Sequence, residues 1–181
     1  MSKHLVKILD NGKVDCIYNS PVPASGYDAW IEVDTPPSLS DYWDGEIFVS
    51  IGDSPSTHHI FDYDTKQWID PRSLDEIKAQ KWAEIKLQRD HLEFGGFEFE
   101  GNVYDSDQVS QGRIMGAAAA AGVDQIWTLA DNTTVELSAL QLQQLYAALQ
   151  VHVASTHERG RIARQLIYAA ETKEEVEAVQ L

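Results

Sequence analysis

The sequence predicts an α+β protein, in which a small β module (residues 1–70) precedes an α-rich domain (residues 71–181) with long helices and short β-hairpins. Short β-branched and aromatic runs, separated by turn residues, fill the first part. Capped helical patterns begin between Pro71 and Ser73. The 181 residues allow one sizeable domain or two small ones, and this change of pattern favours two.

The β module begins with a predicted hairpin. Residues 5–9 and 13–18 are apolar-rich, and they flank Asp10-Asn11-Gly12, whose Asn-Gly pair tolerates the positive φ of a tight turn. The prolines of residues 19–26 then suit an extended surface loop.

Further stretches of the module have the composition of strands. The clearest is 46–51, because its β-branched and aromatic residues are bracketed by Gly45 and Gly52. The others are 29–33 and the pair 59–63 and 67–69, which predicts a second hairpin.

One long amphipathic helix opens the α-rich domain and is expected to reach Leu92. Ser73 and Glu76 have the spacing of a capping box, and Pro71 precedes them. Apolar residues recur at helical spacing along this segment, namely Leu74, Ile77, Trp82, Ile85 and Leu92.

Two hairpins and a shorter helix are predicted next. The first hairpin, 97–104, turns at Gly101-Asn102, and the second spans 126–137. Between them, Asp105 or Ser106 is expected to cap a helix that ends before Gly122. That helix carries Val109, Ile114, Met115 and the alanine run 117–121.

The last part of the chain is predicted to be helical. Ser138 with Gln141 is a second capping box, and Thr172 with Glu175 caps a final short helix. A fading apolar signal at 155–160 favours a bend in the long helix between them. Its apolar positions are Leu142, Leu145, Leu149, Val153, Ile162, Leu166 and Ile167.

Four of the apolar residues in the α-rich domain are predicted to lie in its core: Trp82, Ile85, Trp127 and Leu145. For Trp82→Ala the sequence pattern predicts a loss of about 3–5 kcal/mol.

Composition restricts the function classes. A net charge of −15, from 29 acidic and 14 basic residues, argues against nucleic acid or an anionic membrane surface as a partner. Cys16 is the one cysteine, so no intramolecular disulfide is expected, and a buried position is predicted for it. No signal peptide or membrane span is recognisable, which predicts cytosolic synthesis.

No pattern in the sequence predicts catalysis, a cofactor or a metal site. Asp62, Asp64 and Lys66 have the odd spacing of calcium ligands, but Lys66 is cationic and the later loop positions do not fit. Asp105-Ser106-Asp107 directly precedes a helix, where such residues usually cap. The histidine pairs His58-His59 and His152 with His157 do not have a chelating spacing.

Aromatic residues are more abundant in the β module than its core requires. Core packing accounts for most of them, and one or two are expected to be exposed anchors for a partner. The candidates for partner binding are Trp30, Tyr42, Trp43, Phe48 and Trp68.

Four motifs together carry a resemblance that covers roughly residues 60–181. They are the run from Asp64 to Arg72, the run from Trp82 to Lys86 with Arg89 and Asp90, Asp105-Ser106-Asp107 with Ser110, and the run from Trp127 to Asn132. As a set they resemble a domain of unknown function that is common in tail-fibre gene clusters of tailed phages and prophages. The β module in front is similar to N-terminal parts seen with that domain.

The resemblance implies a tail-fibre assembly chaperone or a small fibre-associated protein, which acts without catalysis and without a cofactor. Its partner would be the fibre polypeptide, and its location the cytoplasm of the bacterial host. Two alternatives stay open: a fibre or baseplate component retained in the virion, and a carbohydrate-binding module that uses the N-terminal aromatics. The sequence leaves the oligomeric state open.

Overall fold

The computed structural model describes residues 3–19, 30–120 and 122–181. The chain divides into two compact units, Met1–Arg72 and Ser73–Leu181, which we call the N-terminal unit and the C-terminal unit. Short antiparallel strands make up the regular structure of the first, and helices dominate the second. The protein therefore has the predicted α+β fold class.

The described part of the N-terminal unit contains seven short strands, and all of their pairings are antiparallel. They are β1 (His4–Ile8), β2 (Val14–Asn19), β3 (Ile31–Val33), β4 (Tyr42–Trp43), β5 (Phe48–Val49), β6 (Ile60–Asp62) and β7 (Gln67–Ile69). A three-stranded sheet has the order β2-β1-β3, whereas β4-β5 and β6-β7 are two-stranded. Among the described residues of this unit, the buried apolar ones are Leu5, Val6 and Val14.

The predicted first hairpin is confirmed, and its turn is fixed by a close contact. Gly12 has φ +78, and its carbonyl accepts a hydrogen bond of 2.8 Å from the Trp43 amide. A Cβ at Gly12 would lie only 2.5 Å from the Trp43 carbonyl oxygen. The turn therefore requires glycine for its backbone angle and for the approach of Trp43.

The strand predicted over 46–51 is shorter than expected, since β5 holds only two residues. The Asp44 carboxylate accepts hydrogen bonds of 2.8 Å from the Glu46 and Ile47 amides, and these bonds hold the first part in a turn. In the stretch predicted at 29–33, the strand begins at Ile31. Residue 29 and most of the predicted loop, residues 20–26, lie outside the described residues.

The C-terminal unit contains four helices and two hairpins within its described residues. The helices are α1 (Leu74–Phe94), α2 (Gln108–Ala119), α3 (Ala139–Ala169) and α4 (Lys173–Ala178). Strands β8 (Phe97–Phe99) and β9 (Asn102–Tyr104) form one hairpin, and β10 (Gln125–Thr128) and β11 (Thr134–Leu137) form the other. All three predicted capping boxes, at Ser73, Ser138 and Thr172, are confirmed.

Two hydrophobic clusters stabilise this unit. The first lies between α2, α3 and the hairpins, and the second joins α1 with the end of α3 and with α4. The first cluster contains Phe97, Tyr104, Ile114, Leu129, Leu137, Leu142, Leu145 and Leu149. The second contains Ile77, Ile85, Ala163, Ile167, Val176 and Val179.

The four predicted core residues divide into two classes. Ile85 and Leu145 are fully buried, as predicted. Trp82 and Trp127 are half-buried and pack against the edges of the two clusters. Each indole therefore covers the edge of a cluster with part of its surface and leaves the rest of its ring exposed to water.

The end of α1 departs from the predicted apolar stripe. Leu92 is exposed, and Glu93 is buried in its place, with its carboxylate 3.1 Å from His157 Nε2. Ser106 is also buried: its hydroxyl donates to the Glu93 carbonyl at 2.6 Å and accepts from the Gly96 amide at 2.9 Å. Hydrogen-bonded polar groups therefore lie at the end of this helix, where an apolar contact was expected.

Helix α3 continues through the predicted bend as one α-helix. The apolar signal fades there because the buried face is occupied by Thr156 and Gly160. A Cβ at Gly160 would lie 3.2 Å from Arg89 Cδ, so the small residue admits a side chain of α1. The Thr156 hydroxyl donates within the helix to the His152 carbonyl at 2.9 Å. The predicted apolar residues Ile162 and Leu166 are exposed.

Two local predictions around α2 are also wrong. The turn of the first hairpin is Glu100-Gly101, with φ 49 and 79, because Asn102 already pairs with Phe99. The N-cap of α2 is Asp107, not Asp105 or Ser106, since Ser106 bonds to Glu93 and Gly96 instead. Of the three large apolar residues predicted on this helix, Ile114 is buried, whereas Val109 and Met115 are exposed.

Candidate functional site

The N-terminal unit brings together most of the predicted partner-binding residues in an aromatic cluster. Tyr42 stacks on Phe61 with 5.7 Å between ring centroids, and Trp68 meets Phe61 edge to face at 5.5 Å. Tyr42 belongs to β4, whereas Phe61 and Trp68 are directly paired across β6 and β7. The Trp68 indole also donates to the Ile51 carbonyl at 2.9 Å. These contacts join the two small ladders.

A second aromatic pair lies within the first ladder. Trp43 and Phe48 are cross-strand partners whose ring centroids are 4.9 Å apart. Trp30, the fifth predicted residue, lies immediately before β3 and is half-buried. We define the aromatic cluster by residues of β4 to β7 and the turn after β6: Tyr42, Trp43, Phe48, Phe61, Tyr63 and Trp68.

Two lysines complete the cluster. Lys66 has φ 58, and its ammonium lies 4.7 Å from the centre of the Tyr42 ring and donates to the Asn11 carbonyl. Lys13 Nζ lies 5.2 Å from the Tyr63 ring, and the Tyr63 hydroxyl donates to the Ser40 carbonyl at 2.9 Å. Burial raises the pKa of Tyr63 above its usual value. This shift favours the protonated phenol, which is the donor to the Ser40 carbonyl.

The aromatic rings are half-buried, and the most exposed apolar side chains beside them are aliphatic. Ile47 in the β4–β5 connection is 62% exposed, and Ile60 in β6 is 53% exposed. Ile60 pairs across the ladder with Ile69, which is also exposed. Sequence reasoning missed these residues because it searched for aromatic anchors. The alternation of Ile60, Phe61 and Asp62 could have identified the outward position.

The aspartates considered as metal ligands form turns. The Asp62 carboxylate accepts from the Asp64 amide and the Thr65 hydroxyl, both at 2.9 Å, and these bonds lower its pKa. Asp107 accepts from Val109 and Ser110 at the start of α2. Within residues 3–19, 30–120 and 122–181, no three His, Cys, Asp or Glu side chains converge on a possible metal position.

Cys16 is exposed, contrary to the prediction that it is buried. The strand pairing explains this difference. Ile8 pairs with Val14 and Lys7 pairs with Cys16, so Asp15 forms a bulge that shifts the alternation of side chains. Cys16 therefore lies beside Lys7 on the outer face of the sheet.

The C-terminal unit has a second candidate site, a groove of about 750 Å³ between α2 and β10. Small residues of α2 line one side, and Ile126 and Trp127 line the other. Its polar lining residues are Asp105, Ser110, Arg113, Gln125, Thr128 and Asn132. An aromatic ring beside acidic, basic and amide groups can bind a polar ligand or an extended peptide.

Sequence reasoning did not identify this groove, although it singled out both of the segments that form it. Residues 105–110 and 127–132 lie in different elements, and only the packing of the second hairpin beside α2 brings them together. Several residues of these segments have structural roles. Asp107 caps α2, and Asp131 accepts from the amide and hydroxyl of Thr133.

The fold and these surfaces define a two-unit α+β protein with one aromatic cluster and one groove as candidate binding sites. A family model described as Domain of unknown function (DUF4376) matches residues 76–180. This span covers more than half of the 181 residues, so the chain belongs to that family. No curated protein and no solved structure matches the chain. The family match covers most of the C-terminal unit.

Proposed function

We propose that this protein is a tail-fibre assembly chaperone, which binds a phage fibre polypeptide in the host cytoplasm and assists its folding and trimerisation. The role is non-enzymatic and uses no cofactor. The proposal combines the sequence resemblance with one structural observation: the exposed aliphatic residues beside the aromatic cluster. The family match supports the extent of the resembling domain, and its description carries no function.

The chemistry of the N-terminal surface supports binding to an incompletely folded β-rich chain. Ile47, Ile60 and Ile69 offer exposed aliphatic contacts, and Ile60 and Ile69 are cross-strand partners in the β6–β7 ladder whose next rung is the half-buried pair Phe61 and Trp68. Unassembled fibre chains expose strand edges and apolar faces that aggregate until the trimer closes. Covering such faces needs apolar area without an enclosed pocket, which this surface supplies.

Charge favours reversible binding. A net charge of −15 opposes non-specific aggregation while the protein carries an aggregation-prone client. Charge also orients the encounter with a fibre chain and adds little to affinity. The client is therefore held mainly by apolar contacts, and trimer closure removes those contacts when it buries the same fibre surface.

The direct test is co-expression with the fibre protein encoded in the same gene cluster. We expect soluble trimeric fibre in the presence of this chain and aggregated fibre in its absence. Ile60→Lys places a charge in the exposed aliphatic surface and should lower the yield of soluble trimer. Leu87→Lys is the matched control, because Leu87 is 72% exposed on α1 in the other unit.

A rival role is a fibre or baseplate component that stays in the virion. Quantitative mass spectrometry of purified particles separates the two roles. A chaperone should be absent from mature particles or present far below the fibre in copy number. Stoichiometric amounts in the virion, together with fibre that trimerises normally without this chain, would replace the chaperone proposal with the structural one.

A further inference from the structure

Helix α3 exposes a face that carries no charge along most of its length. Residues 138–157 contain no Asp, Glu, Lys or Arg, although 24% of the chain is charged. On the opposite face of this segment, Leu142, Leu145 and Leu149 are buried. The exposed positions are Leu140, Gln143, Gln144, Ala147, Gln150, Val151, Ala154, Ser155 and His157.

An apolar stripe runs along this exposed face. Leu140 is 64% exposed, Val151 is 69% exposed and Ile162 is 46% exposed. These residues are eleven positions apart, and eleven residues make almost three whole turns of an α-helix, so their side chains lie nearly in line. Ala147 and Ala154 lie on the same line and are small enough for another helix to approach closely.

This face has few charged residues and several exposed apolar side chains, and the centre of a protein interface typically has the same composition. In a chain with a net charge of −15, it is also the face on which two copies can meet with the least electrostatic repulsion. A two-fold interface uses the same patch on both copies, so the patch must complement itself. Between Leu140 and Ser155 the stripe consists of uncharged aliphatic, alanine, glutamine and serine side chains, which meets this requirement, and Glu158 lies on its second half, before Ile162.

We propose that the exposed stripe of α3 binds a second copy of this chain, with the two α3 helices antiparallel and a two-fold axis at Val151. The equal spacing of the stripe leads to this register, because Leu140 of each copy then lies opposite Ile162 of the other. Glu158, which forms an ion pair with Arg161 in its own chain, falls opposite Gln144, an amide that can donate to it.

The interface is small, because one helical stripe buries less than the roughly 800 Å² per partner of a standard stable complex. The dimer should therefore be weak and concentration-dependent. This inference does not depend on the proposed chaperone function, since it concerns a different unit and a different readout.

Sedimentation equilibrium of the full chain tests the proposal over a range of about 5–500 μM, which covers weak association. We expect a monomer–dimer equilibrium that Val151→Glu weakens at least tenfold, while Leu87→Glu on α1 leaves it unchanged. Circular dichroism checks that both variants keep their helix content. A wild-type chain that stays monomeric across the range overturns the proposal, and so does a dimer that Val151→Glu does not weaken.

Cross-linking tests the register independently of affinity. Replacing the exposed Cys16 by Ser leaves no thiol, and Val151→Cys then places one thiol of each copy at the two-fold axis. A short bis-maleimide should join these copies efficiently, whereas Leu87→Cys in the same background should give little product. Leu140→Cys in the same background should also give little product, because the antiparallel register puts Ile162, and not Leu140, opposite it. Cross-linking at Leu140 as efficient as that at Val151 would contradict the antiparallel register, and equal product at Val151 and Leu87 would contradict an interface at this stripe.

Discussion

The two units of this protein are stabilised in different ways. Long helices of the C-terminal unit bury two hydrophobic clusters. In the described part of the N-terminal unit, the buried apolar residues are Leu5, Val6 and Val14. The remaining order of that unit comes from contacts between rings, from lysines placed over rings and from hydrogen bonds to turn aspartates. We therefore expect the N-terminal unit to be the less stable one.

The comparison also shows that aromatic content does not measure core size. Four of the six rings of the aromatic cluster are Trp or Tyr, the two Phe rings pair directly with them, and all six are half-buried. Such rings cover one another and leave aliphatic side chains such as Ile60 outside. The same number of apolar groups on long helices forms a closed core, because one face of each helix is buried along its whole length.

The largest effect is expected in the C-terminal core. Ile85 is fully buried in the second hydrophobic cluster, so Ile85→Ala should cost about 2–5 kcal/mol of unfolding free energy. Urea denaturation followed by circular dichroism at the helix band measures this loss. Leu87→Ala, at an exposed position of the same helix, should change stability by less than about 0.5 kcal/mol. Equal losses would show that α1 is not packed as described.

Gly12→Ala should give the largest effect of a single methyl group in the N-terminal unit. The new Cβ would meet the Trp43 carbonyl oxygen, and φ +78 is unfavourable for alanine. We expect a local loss of about 1–3 kcal/mol. Hydrogen exchange with mass spectrometry should show faster exchange in β1, β2 and β4 and unchanged exchange in α3. Uniformly faster exchange would show that the units do not unfold separately.

Trp82→Ala should cost less than the sequence pattern alone predicts. Trp82 is half-buried, and the charged groups of Lys86 and Arg164 lie 5.9 and 5.8 Å from the centre of its ring. We expect a loss of about 1–2 kcal/mol in urea denaturation, since only part of the apolar area leaves water. A loss as large as that of Ile85→Ala would show that Trp82 belongs to the closed core.

Gly112→Ala should stabilise the C-terminal unit slightly. Gly112 lies inside α2, and a Cβ built there has no atom within 4 Å. Alanine restricts the unfolded chain and favours helix, so we expect a gain of about 0.5–1 kcal/mol. Paired with Gly12→Ala, the same substitution thus has opposite signs in the two units. A loss of stability on Gly112→Ala would show that another part of the protein packs against that face of α2.

Acid should lower the unfolding free energy of both units, because it protonates aspartates such as Asp44 and Asp107. The change caused by any one of these aspartates should be smaller than the effects of the substitutions above. The Ile47 and Glu46 amides lower the pKa of Asp44, and Ser110 lowers that of Asp107, chiefly through its side chain. A lowered pKa in the folded state contributes stability above the ordinary carboxyl value, and that stability is lost as the pH falls below about 4. Asp44→Asn should flatten this decline for the N-terminal unit in pH-dependent thermal melts.

The helices could be predicted from sequence because their starting signals are local. Ser73, Ser138 and Thr172 each lie three residues before a Glu or Gln, and this spacing is sufficient to form a capping box. Hairpins were likewise recognisable from turn residues such as Gly12. These features depend on only a few neighbouring residues, so tertiary contacts do not change them.

Other features could not be predicted because they depend on the partner across the contact. Gly160 is buried because Arg89 of another helix lies against it, and Glu93 is buried beside His157. The outward position of Cys16 follows from a bulge that periodicity alone does not reveal. The groove at Trp127 needs the second hairpin to lie beside α2, which no local pattern encodes.

The Ser106 hydroxyl sets a limit on changes of chain length. It accepts from the Gly96 amide and donates to the Glu93 carbonyl at the end of α1, and the whole first hairpin lies between Gly96 and Ser106 in a loop that these hydrogen bonds close. An insertion near the base of the hairpin would move Ser106 away and open that loop. An insertion at the exposed turn Glu100-Gly101 would leave it closed. An epitope or fluorophore is therefore best introduced at that turn, and homologues of different length should differ there.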